Sequence, residues 1–109
     1  MEKTIIYSEK LQFYLINLID ILFYKDYFNY LENAEKYVVA LKNEIENYIE
    51  VKKQCNSPKA FLKYGKFYIV VSLNNRTSWY VFFDKKGHRY LIQYITNNHM
   101  EESRLLNTV

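Results

Sequence analysis

The sequence predicts an α+β domain in which a helix hairpin packs on one face of a mostly antiparallel sheet, in the order β-α-α-β-β-β. Three observations favour this fold class. Apolar residues recur at helical spacing in two stretches of the first half of the chain, and then at a spacing of two in the second half. Two turn sequences divide that second half into three strands. A length of 109 residues suits a single domain, 1–109.

The first two elements are a short strand and a helix. The segment Lys3–Tyr7 is β-branched and aromatic, and it ends at Ser8, a suitable N-cap residue followed by the acidic Glu9. The helix is predicted from Glu9 to about Lys25, because apolar residues recur on one side at Leu11, Leu15, Leu18 and Leu22.

The second helix is predicted to start near Asn29, since Asn29 and Glu32 have the spacing of a capping box. Its apolar side consists of Tyr30, Ala34, Tyr37, Leu41, Ile45, Tyr48 and Ile49. Two helices with a short connection most simply form an antiparallel hairpin. Residues 52–58 are predicted to be a linker, and Phe61–Tyr64 is a candidate for an additional short strand.

Three strands follow, which are predicted at Phe67–Leu73, Thr77–Phe83 and His88–Thr96. Asn74-Asn75 is expected to form the first hairpin turn, and Asp84-Lys85-Lys86-Gly87 the second, with Gly87 in the left-handed conformation. Alternation along the last strand places Tyr90 and Tyr94 on one face. The tail 97–109 is expected to be loop or short helix.

Composition excludes several classes of protein. A single cysteine, Cys55, cannot form an internal disulfide, so a bridged secreted scaffold is not expected. The most apolar stretch, Leu11–Tyr24, is too short to span a bilayer, and the N-terminal residues do not form the pattern of a signal peptide. We therefore expect a cytoplasmic protein without a membrane partner.

Motifs for cofactors and metals are also missing from the sequence. It contains no phosphate-binding glycine loop and no zinc or calcium ligand spacing, so neither a cofactor nor a metal site is predicted. Spacing alone leaves a nucleophilic pair of Cys55 with a histidine open, although a lone cysteine is more often incidental.

Charge is distributed unevenly along the chain. Residues 1–55 contain seven lysines against nine acidic residues, whereas residues 56–109 contain eight basic residues against three acidic ones. A basic half can bind a polyanion, because lysine and arginine release the counterions of phosphates. The alternative is that these are ordinary solvated charges of strands and turns.

Four segments, in this order of elements, resemble the RelE/ParE superfamily of bacterial toxin-antitoxin toxins. Ile5-Ile6-Tyr7-Ser8 is similar to the first strand and helix start of that family, and residues 33–38 are similar to the start of its second helix. Residues 77–84 resemble its central strand, and residues 91–99 its closing strand. The resemblance covers most of the chain.

The resemblance implies a toxin that is neutralised by a cognate antitoxin protein. RelE-like members cut messenger RNA on the ribosome by activating the 2′-hydroxyl of the RNA, without a metal, whereas ParE-like members poison DNA gyrase. We expect the endoribonuclease activity, and we keep as the alternative a noncatalytic binding protein, either a gyrase poison or a degenerate member of the family.

The resemblance also implies candidate site residues. His99 falls near the C-terminal catalytic position of the family and is the candidate acid, because imidazole ionises close to neutral pH. The strand arginine of the family falls on Thr77, and Arg76, one residue before it, is the second catalytic candidate. Tyr90 is the third catalytic candidate. Structural alternatives are a turn residue for Arg76, a strand-exit cap for His99 and a core position for Tyr90.

Four further residues are candidate RNA contacts. Lys63, Lys66 and Arg89 are interpreted as phosphate contacts, because they belong to the basic half of the chain. Trp79 is a candidate contact to RNA or to an antitoxin, and its alternative is a place in the core.

Overall fold

The structure is a computed structural model, and it describes residues 2–24, 31–74 and 76–106. Its two main helices are α1 (Glu9–Tyr24) and α2 (Leu31–Tyr48). Its strands are β1 (Thr4–Tyr7), β2 (Cys55–Asn56), β3 (Phe67–Ser72), β4 (Ser78–Lys86) and β5 (Arg89–Asn97). Two 3₁₀ helices complete it, the first at Lys59–Tyr64 and the second at Glu101–Leu105. The α+β class predicted from the sequence is confirmed.

The five strands form one mixed sheet in the order β1-β5-β4-β3-β2. The pairs β2–β3, β3–β4 and β4–β5 are antiparallel. The pairs β3–β4 and β4–β5 are hairpins, whereas the first 3₁₀ helix lies between β2 and β3. β1 lies parallel to β5, with Thr4 opposite Arg89 and Tyr7 opposite Ile92. The first strand of the chain is therefore an edge strand beside the last one.

Two short elements differ from the sequence prediction. The segment Phe61–Tyr64 belongs to the first 3₁₀ helix and is not a strand, because the 3₁₀ repeat brings residues i and i+3 onto one side and so turns both rings toward the sheet. The extra strand is β2, within residues that were predicted to be linker. The predicted capping residue Asn29, the helix end Lys25 and the turn residue Asn75 lie outside the described residues.

One face of the sheet carries the main core. Both helices contribute to this core on one side, and β3, β4 and β5 on the other. Its fully buried members include Leu41, Ile45, Ile69, Val81 and Phe83. Burial of these apolar side chains on a continuous surface is the main term that holds the helices on the sheet.

The opposite face of the sheet is covered by an aromatic cluster. Phe61, Tyr68, Tyr80, Phe82 and Leu106 are its buried members. Phe61 of the first 3₁₀ helix stacks on Phe82 of β4, with ring centroids 4.8 Å apart. Both 3₁₀ helices therefore contribute to covering the sheet face opposite the helix hairpin.

The two faces exchange along β5 because of a β-bulge. Tyr94 is opposite Phe82, but the next residue of β4, Phe83, is opposite Ile92, so Gln93 is the extra residue. Tyr90 consequently packs in the core under the helices, whereas Tyr94 packs in the aromatic cluster. The prediction that Tyr90 and Tyr94 share a face is wrong, since one inserted residue reverses a repeat of two.

Gly87 has φ of +60°, as predicted from its place in the second hairpin. The turn itself is shorter than predicted. Lys86 still pairs with Arg89, so the loop consists of Gly87 and His88 alone. Neither helix, over the residues that the structure describes, is long and apolar enough to cross a membrane.

Candidate functional site

The exit of β5 and the connection between β3 and β4 meet at one end of the sheet. Here the hydroxyl of Thr77 and Nε2 of His99 are 3.0 Å apart, although 22 positions separate them in the chain. The direction of this hydrogen bond follows the tautomer of the imidazole. His99 is exposed, and Thr77 is half-buried. The imidazole of His99 is therefore accessible to solvent, and its Nε2 already has the hydroxyl of Thr77 as a hydrogen-bond partner.

Asparagine side chains fix the backbone on both sides of this pair. Asn98 donates from Nδ2 to the carbonyl of Arg76 over 3.1 Å and accepts from the amide of Ser78 over 2.9 Å. Oδ1 of Asn97 accepts from the amide of His99 over 2.9 Å. These bonds hold the main chain of Arg76 and of His99 at one place, which we call the histidine end of the sheet.

The carbonyl oxygen of the Asn74 side chain orders the β3–β4 connection. It accepts hydrogen bonds from the amides of Arg76 and Thr77, over 2.8 and 3.0 Å. Short asparagine side chains commonly close turns in this way. Arg76 is exposed beyond this turn. Local polar bonds therefore hold the main chains of two of the three catalytic candidates, Arg76 and His99, at the same end of the sheet.

The third catalytic candidate, Tyr90, lies elsewhere. It is buried near the start of β5, and its ring centroid is 5.7 Å from that of Phe83, with Nζ of Lys85 5.4 Å above the ring. Seven residues of strand separate Tyr90 from Asn97, which corresponds to roughly 23 Å. The structure does not bring Tyr90 to the histidine end.

Trp79 is a core residue, with 2% of its surface exposed. Its indole nitrogen donates to the hydroxyl of Tyr37 on α2 over 2.9 Å. A nucleic-acid base requires an open ring face on which to stack. Trp79 therefore occupies the core position that was its alternative to an RNA contact, and its ring joins the sheet to α2.

Two of the candidate phosphate contacts lie at the other end of the sheet. Arg89 is exposed beside the β4–β5 turn, next to Lys85 and Lys86. Lys66 is exposed just before β3, and its amide donates to Oδ1 of Asp84 over 3.0 Å. We call this region the basic end of the sheet, because of these four residues.

Lys63 faces a cleft of about 720 Å³ between α1, the first 3₁₀ helix and β5. Lys10 and Tyr14 of α1, Tyr64 beside Lys63, and Gln93 with Tyr94 of β5 form its walls. We call it the bulge cleft, because Gln93 is the inserted residue of β5. The sequence did not predict this cleft, because one inserted residue produces no recognisable pattern in a strand.

Tyrosines near the bulge cleft are held in the neutral form. Burial raises the pKa of Tyr94, and the carboxylate of Glu102, which accepts its hydroxyl over 2.5 Å, raises it further. Burial and the charge of Glu102 raise the pKa of Tyr14 as well. A tyrosine is already neutral at pH 7, and the raised pKa values extend the neutral form of both hydroxyls to higher pH.

No group of three or more histidine, cysteine or acidic residues within residues 2–24, 31–74 and 76–106 could hold a metal ion. Comparison of the chain with protein-family models, with curated proteins and with solved structures found no significant match.

Proposed function

We propose that this protein is the toxin component of a type II toxin-antitoxin system with a RelE/ParE-like fold, and that it cuts messenger RNA on the ribosome without a metal. One observation carries the proposal: the Thr77–His99 pair lies beside Arg76 at the histidine end, where two distant segments meet. The order of elements, with the helices followed by an antiparallel β3–β4–β5 meander, agrees with the resemblance in sequence.

The proposed reaction transfers the phosphate within the RNA itself. The 2′-oxygen loses its proton to water and bonds to phosphorus, while the bond from phosphorus to the 5′-oxygen breaks. His99 supplies the proton that the departing 5′-oxygen takes up, and Thr77 orients the imidazole for it. The guanidinium of Arg76 neutralises charge that develops on the phosphate oxygens.

A specific observation favours a second candidate function, that of a noncatalytic binding protein. The basic residues do not converge, because Lys66 and Arg89 lie at the basic end while Arg76 and His99 lie at the histidine end. Such a division suits a surface that contacts a large partner at several places. A DNA gyrase poison or a degenerate toxin is the form of this alternative.

The cleavage assay uses purified protein with programmed ribosomes. We expect products that end in a 2′,3′-cyclic or 3′-phosphate and in a 5′-hydroxyl, because the 2′-oxygen of the RNA displaces the 5′-oxygen from phosphorus. His99→Ala should lower the rate by about 10²-fold, because it removes the proton donor. His88→Ala is the matched control, since His88 is exposed in the β4–β5 turn at the basic end.

Two outcomes would contradict this proposal in different ways. The first is an equal rate in the His99→Ala and wild-type proteins, which would remove His99 from the mechanism. The second is intact messenger RNA together with gyrase trapped on cleaved DNA, which would select the gyrase alternative.

The toxin assignment itself has a separate test in cells. Induced expression should arrest growth, and co-expression with an adjacent small gene should relieve the arrest and yield a stable complex. An amphipathic antitoxin segment is the expected partner. If expression of the protein is harmless and no neighbouring gene product co-purifies with it, the toxin assignment is contradicted.

A further inference from the structure

Asn98 lies where β5 stops pairing with β4. Its backbone amide donates to the carbonyl of Ser78 over 3.1 Å. In a regular antiparallel pair, the backbone carbonyl of the same residue would accept from the amide of Ser78 in return. The side-chain oxygen of Asn98 takes the place of that carbonyl and accepts from the amide of Ser78 over 2.9 Å. The side chain therefore replaces one backbone bond of the sheet and ends the pairing at this point.

The other polar atom of the same side chain is also bound to backbone. Nδ2 of Asn98 donates to the carbonyl of Arg76 over 3.1 Å. The side chain of Asn98 thus binds one backbone group before Thr77 and one backbone group after it. Because the main chain of Arg76 and of Ser78 is held in this way, the position of Thr77 between them is held as well.

The strand register places Thr77 opposite His99, two positions beyond the pair of Trp79 with Asn97. The bulge of β5 shifts this register by one residue, and without the shift Arg76 would be opposite His99. A hydroxyl can accept a hydrogen bond from an imidazole, whereas a guanidinium only donates. The bulge therefore gives His99 a neighbour that can accept from its ring.

The two nitrogens of the His99 ring have different surroundings. Nε2 is 3.0 Å from Oγ1 of Thr77, whereas Nδ1 of this exposed ring has no hydrogen-bond partner among the described residues. A protonated imidazole donates from both nitrogens and accepts at neither. In that form, Nε2 must donate to the hydroxyl of Thr77. The proton on Nδ1 is then the one that an external acceptor can take.

We propose that Asn98 is a positioning residue, which holds Thr77 against Nε2 of His99 and so makes Nδ1 the nitrogen that gives up the proton. In the cleavage step, the bond between Nδ1 and hydrogen breaks, its electron pair stays on Nδ1, and the proton goes to the departing 5′-oxygen. Nε2 keeps its proton and its bond to Thr77. The role in cleavage rests on the proposed function, whereas the placement of the ring is a property of the chain alone.

Nuclear Overhauser effects in the purified chain test the placement of the ring without any RNA. Nε2 lies between Cδ2 and Cε1 of the imidazole, so we expect the protons on both carbons of His99 to show effects to the methyl group of Thr77. If Nδ1 faced Thr77 instead, the effect from the proton on Cδ2 would be missing. That result would overturn the assignment, as would the absence of both effects.

Variants of Asn98 test its part in this placement. Asn98→Ala removes both side-chain bonds and should abolish the effects between His99 and Thr77. Asn98→Asp keeps the acceptor for Ser78 but loses the donor to the carbonyl of Arg76, so the effects should be weaker than in the wild type. Asn43→Ala is the matched control, because Asn43 is exposed on α2, and it should leave the effects unchanged.

Thermal unfolding checks that each variant is folded, and Asn98→Asp decides alone if Asn98→Ala is not. Wild-type effects between His99 and Thr77 in the folded Asn98 variants would refute the positioning role.

The cleavage assay tests whether this positioning serves the reaction. Thr77→Val and Asn98→Ala should each lower kcat by about tenfold with little change in KM, because the proton donor is misplaced while the RNA still binds. The double variant should be no slower than Thr77→Val, since Asn98 acts through Thr77. Losses that multiply in the double variant would refute this route.

The two sets of measurements can fail separately. A chain that cuts no RNA but shows the expected effects between His99 and Thr77 contradicts the proposed function and leaves the placement of the ring intact. A chain that cuts RNA but lacks those effects contradicts the role of Asn98 and leaves the cleavage intact.

Discussion

Gly65 and Gly87 both have positive φ, but their surroundings differ. Gly65 follows the first 3₁₀ helix with φ of +142°, and a Cβ at this position would lie 2.6 Å from the backbone carbon and oxygen of Phe83. Gly87 has φ of +60°, and a Cβ there would meet nothing within 4 Å. The first glycine is required by both space and conformation, and the second by conformation alone.

Alanine at these two positions should separate the two effects. Gly65→Ala should lower the free energy of unfolding by about 3 kcal/mol or more, because the rigid backbone of Phe83 must shift. Gly87→Ala should cost about 1 kcal/mol, the ordinary penalty of a left-handed residue with a Cβ. Urea unfolding measures both values, and equal losses in the two variants would contradict the close approach at Gly65.

At the residue scale, sequence reasoning identified the candidates at the histidine end but not their contacts. Arg76 and His99 were found through the family resemblance, whereas the bond between Thr77 and His99 depends on the strand register. Asn74, Asn97 and Asn98 were a usable signal, because asparagines at strand ends commonly bind nearby backbone. The alternation rule failed for Tyr90 and Tyr94, since the bulge at Gln93 is created by tertiary pairing.

At the scale of elements, the N-cap of α1 links the helix to the sheet. Oγ of Ser8 accepts from the amide of Leu11 over 3.2 Å, and the amide of Ser8 donates to the carbonyl of Ile92 in β5 over 2.8 Å. The side chain of Ser8 accepts from an otherwise unbonded amide of the first helical turn, while its backbone amide continues the hydrogen bonding between β1 and β5. Ser8 therefore fixes the point at which the chain leaves the sheet.

Removing this cap should destabilise the protein measurably. Ser8→Ala should lower the free energy of unfolding by about 1 kcal/mol, because the amide of Leu11 loses its acceptor. Ser72→Ala is the matched control, since Ser72 is exposed and its hydroxyl bonds the hydroxyl of Ser78 at the strand surface, over 3.2 Å. Chemical unfolding compares the two, and an equal effect would show that Ser8 is not acting as a cap.

Elements with a long repeat could be predicted, and short ones could not. The periods of α1, α2, β3, β4 and β5 are visible in the sequence because each element buries one side over many residues. β2 has two residues and exists through its pairing with β3. The first 3₁₀ helix is defined by the packing of Phe61 and Tyr64 on the sheet, which a local pattern does not encode.

At the scale of the whole molecule, four tyrosines couple the fold to pH. Burial raises the pKa of Tyr7, Tyr14, Tyr80 and Tyr94, and acceptor carboxylates raise two of them further. Tyr7 donates to Glu46 over 2.8 Å, and Tyr94 donates to Glu102. The folded state therefore favours the protonated form of these side chains.

Stability should fall in alkaline solution. The folded state holds protons that the unfolded chain releases near pH 10, so this contribution is complete below about pH 10 and is lost as the pH rises further. The double variant Tyr7→Phe/Tyr94→Phe should flatten that fall. Thermal unfolding between pH 8 and 11, with the exposed Tyr48→Phe as control, measures it. An equally steep fall in the double variant would contradict this origin.

The parallel pairing of β1 with β5 has a consequence for how the chain folds during its synthesis. Thr4 pairs with Arg89 and Tyr7 with Ile92, so each contact joins positions 85 apart. Contacts this distant in sequence form slowly, because a long loop must close before they are gained. On a translating ribosome, β1 and both helices emerge before the strand that β1 requires. The β1 edge of the sheet can therefore be completed only after β5 has been synthesised.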